Sequence, residues 1–146
     1  MKLVIQRVHS ASVEVNHNVV SAIKKGLLVF LGVSNQDDGT QIDWLAKKLT
    51  DLRVFEDDTG KINLSVKDIN GQILLVPQFT LYANCQRGRR PDFTEAGEPE
   101  TAEQYFKDFA QALEEFGKKP LLGVFGAHMD ISLVNDGPVT IILEKN

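Results

Sequence analysis

The spacing of apolar residues changes along the chain, and each change marks an element. Residues 3–8 mix apolar and polar positions, and Ala11-Ser12-Val13-Glu14-Val15 alternates strictly, so two strands are expected. Asn16-His17-Asn18 reads as a hairpin turn, with Val19-Val20-Ser21-Ala22 as the return strand. Residues 26–33 form a nearly continuous apolar run, the pattern of a strand covered on both faces. The spacing then lengthens. Ile42, Leu45, Ala46, Leu49 and Leu52 make one helical stripe, and Thr40-Gln41-Ile42-Asp43 resembles a capping box ahead of it. A charged turn follows Arg53-Val54-Phe55, and Asn70-Gly71 precedes the buried strand Ile73-Leu74-Leu75-Val76.

The second half reads in the same way. Residues 83–98 are polar and hold Pro91 and Gly97, so a long loop is expected. A second helix is expected from Thr101, with Gln104 completing a capping box and Gly117 ending it. Its apolar face is Ala102, Tyr105, Phe106, Phe109, Leu113 and Phe116. Strands over 129–134 and 139–143, joined by Asn135-Asp136-Gly137-Pro138, close the chain. About eight strands and two helices predict an α/β protein. Its largely antiparallel sheet curls or doubles, with the helices packed on one side.

The 146 residues suit one domain spanning 1–146, and that size needs no disulfide to stabilise a core. Cys85 is alone, which fits a reducing compartment. The opening apolar run is too short for a signal peptide, and no stretch approaches about 18 apolar residues. These features predict a soluble, cytoplasmic protein with no membrane contact. The net charge of −4 argues against a protein that coats nucleic acid. It leaves room for a local basic patch, and Arg87, Arg89 and Arg90 make one. They fit either a solvated loop or phosphate contacts.

Two segments stand out as candidate chemistry. Pro77-Gln78-Phe79-Thr80-Leu81-Tyr82-Ala83 ends a buried strand with polar groups. Strand alternation would put Gln78 and Thr80 on one face. The spacing alone also fits a strand leaving the core, with Thr80 satisfied by a neighbour. Gly137-Pro138 reads as a turn by default, and two letters do not fix the isomer of its peptide bond. His9, His17 and His128 have no triad setting, and no Gly-x-Ser-x-Gly elbow is present, so a Thr80 nucleophile lacks a base. Backbone N–H groups forming an oxyanion hole need no base of that kind. Metal clusters, a Walker loop and a dinucleotide fingerprint are absent from the sequence, so neither metal nor cofactor is expected.

Taken together, several motifs resemble the D-aminoacyl-tRNA deacylase family, also called D-tyrosyl-tRNA(Tyr) deacylase. They include Gln6-Arg7-Val8, Leu31-Gly32-Val33, Gln78-Phe79-Thr80-Leu81, Gly88-Arg89-Arg90-Pro91 and Phe125-Gly126-Ala127 with Met129. The last is Ser132-Leu133-Val134-Asn135-Asp136-Gly137-Pro138-Val139-Thr140. The resemblance runs nearly end to end and is weakest over 95–123. It implies a homodimer that hydrolyses the ester between a D-amino acid and the 3′-terminal adenosine of tRNA. Gln78, Phe79 and Thr80 would line the pocket, with backbone N–H groups on the ester carbonyl and the adenosine 2′-hydroxyl assisting water. Gly137 and Pro138 would enter the partner subunit's pocket as a cis pair whose carbonyls exclude an L side chain. Glycyl-tRNA, having no side chain to reject, would also be cleaved. Arg87, Arg89 and Arg90 would serve the tRNA.

Pro77 departs from the family's usual Ser and removes an N–H, so a local hydrogen bond should be missing or rerouted. His128, where acidic residues are common, is a second departure, expected at the surface. A sister branch selective for L-alanyl-tRNA also has Pro at the position of Pro77, followed by Gln-Ala rather than Gln78-Phe79. That branch, and a non-catalytic tRNA-binding dimer, are the alternative readings.

Overall fold

The computed structural model describes residues 1–146. In chain order the elements are β1 (Lys2–Val15), β2 (Asn18–Ile23), β3 (Gly26–Gly32), α1 (Ile42–Asp51), β4 (Phe55–Glu56) and β5 (Ile62–Leu64). They continue with β6 (Gln72–Pro77), a 3₁₀ turn (Phe79–Tyr82), α2 (Pro99–Glu115), β7 (Leu121–Leu122) and β8 (Asp130–Glu144). The two strands expected at the start are one continuous strand. Asn16 and His17 turn it back with φ of 50° and 63°.

β1 organises the sheet because of its length. One edge carries β3 along its first half and β2 along its second. The other edge carries β8. All three pairings are antiparallel, whereas β3–β6 and β6–β7 are parallel. The sheet is therefore mixed, more so than the alternation predicted. The Ser21 hydroxyl of β2 donates to the Leu122 carbonyl of β7 at 2.6 Å. That bond draws the ends of the path β2-β1-β3-β6-β7 together, and the sheet nearly closes into a barrel.

The continuous apolar runs have a plain cause. β3 and β6 are covered on both faces. Leu27, Val29, Leu31, Ile73 and Leu75 pack under the helices with Leu45, Leu49, Phe106 and Phe109. Leu28, Leu74 and Val76 face the other way, onto Val8, Ala11, Val13 and Ile23. Truncating a buried aromatic such as Phe109 would cost about 3–5 kcal/mol. No helix is long and apolar enough to cross a membrane.

Neither expected capping box forms. The Thr40 hydroxyl donates to Asp38 Oδ1 instead, and Gln41 at the α1 N-cap makes no side-chain cap. α2 begins two residues early, at Pro99, where the missing N–H has no helical partner to lose. Gln104 donates to Asp108, one turn on, rather than back to the cap. The C-terminus of α2 ends as expected. Gly117 has φ of 90°, its N–H donates to Glu114, and Lys118 N–H donates to Leu113.

Two corrections bear on the candidate site. β6 stops at Pro77 and the chain coils into the 3₁₀ turn, so strand alternation does not relate Gln78 to Thr80. Likewise Gly137-Pro138 does not join two strands. It lies within β8, which runs unbroken past it.

Candidate active site

The Gln78 segment is fixed by main chain. Gln78 N–H donates to the Leu31 carbonyl at 2.8 Å, continuing the β3–β6 ladder one residue past Pro77. Leu81 N–H then donates to the Gln78 carbonyl at 3.3 Å, and Ala83 N–H to that of Thr80 at 3.1 Å. A 3₁₀ turn leaves its first two N–H groups without a partner inside it, here those of Phe79 and Thr80. The turn rests on bare backbone. A Cβ on Gly32 would sit 3.0 Å from Leu81 Cβ and 3.2 Å from the Gln78 carbonyl oxygen. The Tyr82 ring lies beneath. Burial pushes its phenol above the ordinary value, with the Asp37 and Glu144 charges acting the same way, so it stays neutral.

The Gln78 side chain turns onto its own segment, its amide donating to Thr80 Oγ1. No titratable group bonds the Thr80 hydroxyl. Gln78 and Phe79 line a cavity of about 510 Å³; Thr80 is exposed and does not. Phe106 of α2 and Phe125 form the apolar far side, their rings 6.3 Å apart. Met129 completes the wall, with its sulfur accepting from Val124 N–H. Sequence reasoning gave Phe106, Phe125 and Met129 no role at the site, because they reach it from elements with separate hydrophobic patterns. His128 lines the rim with its side chain 92% exposed, as expected of a surface position.

Pro77 leaves the ladder intact. In a parallel pair, alternate residues bond to the same neighbour, and here Gln78 donates to β3. Pro77 N therefore faces the β7 side, where Gly123, just past β7, still donates its N–H to the Leu75 carbonyl at 2.8 Å. Pro77 Cδ takes the place of the missing N–H beside Gly123, 3.4 Å from where a Gly123 Cβ would stand, so the lost bond falls on the β7 side alone.

The Gly137-Pro138 peptide bond is cis. The β1–β8 register passes from Gln6↔Thr140 to Val8↔Asn135, so Asp136, Gly137, Pro138 and Val139 all bulge opposite Arg7. Arg7 is 5% exposed and holds the bulge. Its Nε donates to the Asp136 carbonyl at 2.9 Å and its Nη1 to the Val54 carbonyl at 2.6 Å. The Asp136 carboxylate lies 3.4 Å from Nε. Sequence reasoning assigned Arg7 no role. The signal was available: Arg7 shares strand parity with the buried Leu3 and Ile5. Gly137 and Pro138 are exposed and do not line the cavity, so a single chain does not bring the two motifs together.

Arg87, Arg89 and Arg90 sit at the tip of the 83–98 loop, which is closed at its base by paired bonds between Asn84 and Asp92. All three are exposed and none forms an ion pair. Cys85 is also exposed there.

A mostly apolar cavity with a few polar groups at its edge belongs to the class of sites that take a small ligand. The chain belongs to the D-Tyr-tRNA(Tyr) deacylase family, whose model matches residues 4–144. The D-aminoacyl-tRNA deacylase of Thermotoga petrophila is 53% identical over 146 residues, covering 100% of this chain and 98% of that protein. That of Dictyoglomus turgidum is 53% identical over 144 residues, covering 99% and 92%. A solved structure described as c-Myc DNA Unwinding Element Binding Protein superposes with a TM-score of 0.95 at 42% identity, covering 100% and 99%. A probable eukaryotic D-amino acid tRNA deacylase superposes at 0.82 with 16% identity and 97% coverage of each chain, which shows the fold alone.

Proposed function

We propose that residues 1–146 act as one enzyme unit that hydrolyses the ester of D-aminoacyl-tRNA, releasing the amino acid and free tRNA. The observation that carries this reading is the 3₁₀ turn whose start, at Gln78 and Phe79, lines the cavity and whose first two N–H groups, those of Phe79 and Thr80, are unpartnered. Those groups hold the ester carbonyl and stabilise the charge that develops when water attacks. The 2′-hydroxyl of the terminal adenosine assists the water, which removes the need for a protein base. The Gln78 side chain folds back onto Thr80 and leaves the turn to its main-chain bonds.

Chirality is read by exclusion. The partner subunit's Gly137 and Pro138 enter the cavity, and their carbonyls occupy the space an L side chain would need. A D side chain points away, and glycine has none, so glycyl-tRNA mischarged on tRNA(Ala) is also a substrate. A homodimer is thus part of the site. β8 supports it: its outer edge is unpaired along the strand, and Leu133, Val134 and Ile142 are exposed on it beside the bulge.

The test follows ester loss from D-tyrosyl-, L-tyrosyl- and glycyl-tRNA in parallel. Loss of the D and glycyl esters with the L ester spared is expected. Equal loss of D and L would end the exclusion argument, and no loss of any ester would end the enzymatic reading.

A further inference from the structure

On the deacylase reading the cavity takes the terminal adenosine and its amino acid, and a feature beside it has no assigned partner. Phe79 and Phe93 meet edge to face, ring centroids 5.1 Å apart and planes at 64°. Pairs of this kind usually belong to a core. Here Phe79 is 56% exposed and Phe93 is 38% exposed, and neither joins a core cluster. An edge-to-face contact covers one face of one ring, and the exposure of both residues leaves aromatic surface for a flat ligand.

Phe93 is held in place. Its loop is pinned on one side by the Asn84–Asp92 bonds and on the other by Asn35, whose N–H donates to Glu95 and whose amide donates to Thr94. The Asp92 carboxylate is turned into its own loop, accepting from Thr94 N–H. The same loop carries the unpaired charges of Arg87, Arg89 and Arg90 a few residues earlier. Phe79 lines the cavity and touches Phe93, and Phe93 adjoins the Asn84–Asp92 base of the loop whose tip carries the arginines.

We propose that the Phe79–Phe93 pair is a stacking platform for the unpaired base next to the ester-bearing terminal adenosine, with the loop arginines on the phosphates beyond. The inference rests on the deacylase reading above. Its chemistry is that of single-stranded nucleic-acid binding, in which aromatic faces take successive bases and guanidiniums track the backbone. A base at this point is the first one outside the cavity. Stacking there orders the strand as the ester enters.

The test is a cycle on KM and kcat. Its two arms are Phe93→Ala and a D-tyrosyl-tRNA whose penultimate nucleotide lacks its base. On intact substrate, Phe93→Ala should raise KM about 5- to 150-fold, the range for losing one base–aromatic stack, with kcat changed only a few-fold. Removing the base should do the same to the wild-type enzyme. Combining the two should be no worse than either alone. Phe93→Tyr should restore KM. Additive losses, an unchanged KM, or a fall confined to kcat would each overturn the proposal, the last by showing that Phe93 merely positions Phe79. If the wild-type enzyme cleaves none of the esters, the deacylase reading falls instead.

Discussion

The 78–83 turn and the 136–139 bulge are both short departures from a strand, but they are held in opposite ways. The turn is fixed by its own main chain and by the bare backbone of Gly32. Little of its geometry depends on any one polar side chain. The bulge depends on one: the buried Arg7 guanidinium, reaching across 129 positions to Asp136. One device tolerates side-chain change, and the other concentrates its geometry in a single residue.

The sharpest way to break that contrast is Arg7→Ala. It leaves the Val54 carbonyl and the Asp136 carboxylate without their donor, at a cost of about 3 kcal/mol in stability. Urea unfolding should show that loss, and D-over-L selectivity should fall at least about tenfold as the bulge loosens. Unaltered stability and selectivity would mean the bulge holds itself, like the turn.

Thr80→Ala probes the other side. If main chain does the chemistry, the single-turnover rate should stay within about tenfold of wild type. A loss of about a thousandfold, with the fold intact, would restore the hydroxyl as nucleophile and sink the backbone account.

The smallest effect is expected from Pro77→Ser. It restores an N–H on the side facing Gly123, beyond the last β6–β7 register pair, so it adds one edge bond and leaves the β3 ladder unchanged. Stability should shift by no more than about 1 kcal/mol, and selectivity should not move. A clear rise in L-ester cleavage would make residue 77 part of chiral selection after all.

Much of the frame was legible because periodicity reports local environment. The stripe on α1, the two-sided burial of β3 and β6, and the Gly117 stop each follow from neighbours a few residues away. The capping boxes failed for a related reason. Asp38 offered the Thr40 hydroxyl an acceptor closer than the helix, and Pro99 supplied an earlier start for α2. The candidate site was partly legible. Its motifs pointed to the family, and the Arg87, Arg89 and Arg90 loop is exposed as one reading allowed. The 3₁₀ turn was hidden, because a polar strand end and a coil share the same letters.

By itself the sequence determined which residues are apolar on which period, where helices stop, and which family the chain belongs to. Tertiary structure alone decided that β1 is one strand, since only β8 running beside it holds its two halves in line. It also decided which way Pro77 N faces, which walls enclose the cavity, and that Arg7 holds Asp136. The reason is physical. Local propensity is set by residues within a turn or two, whereas a buried donor takes whichever acceptor the packed chain brings to it.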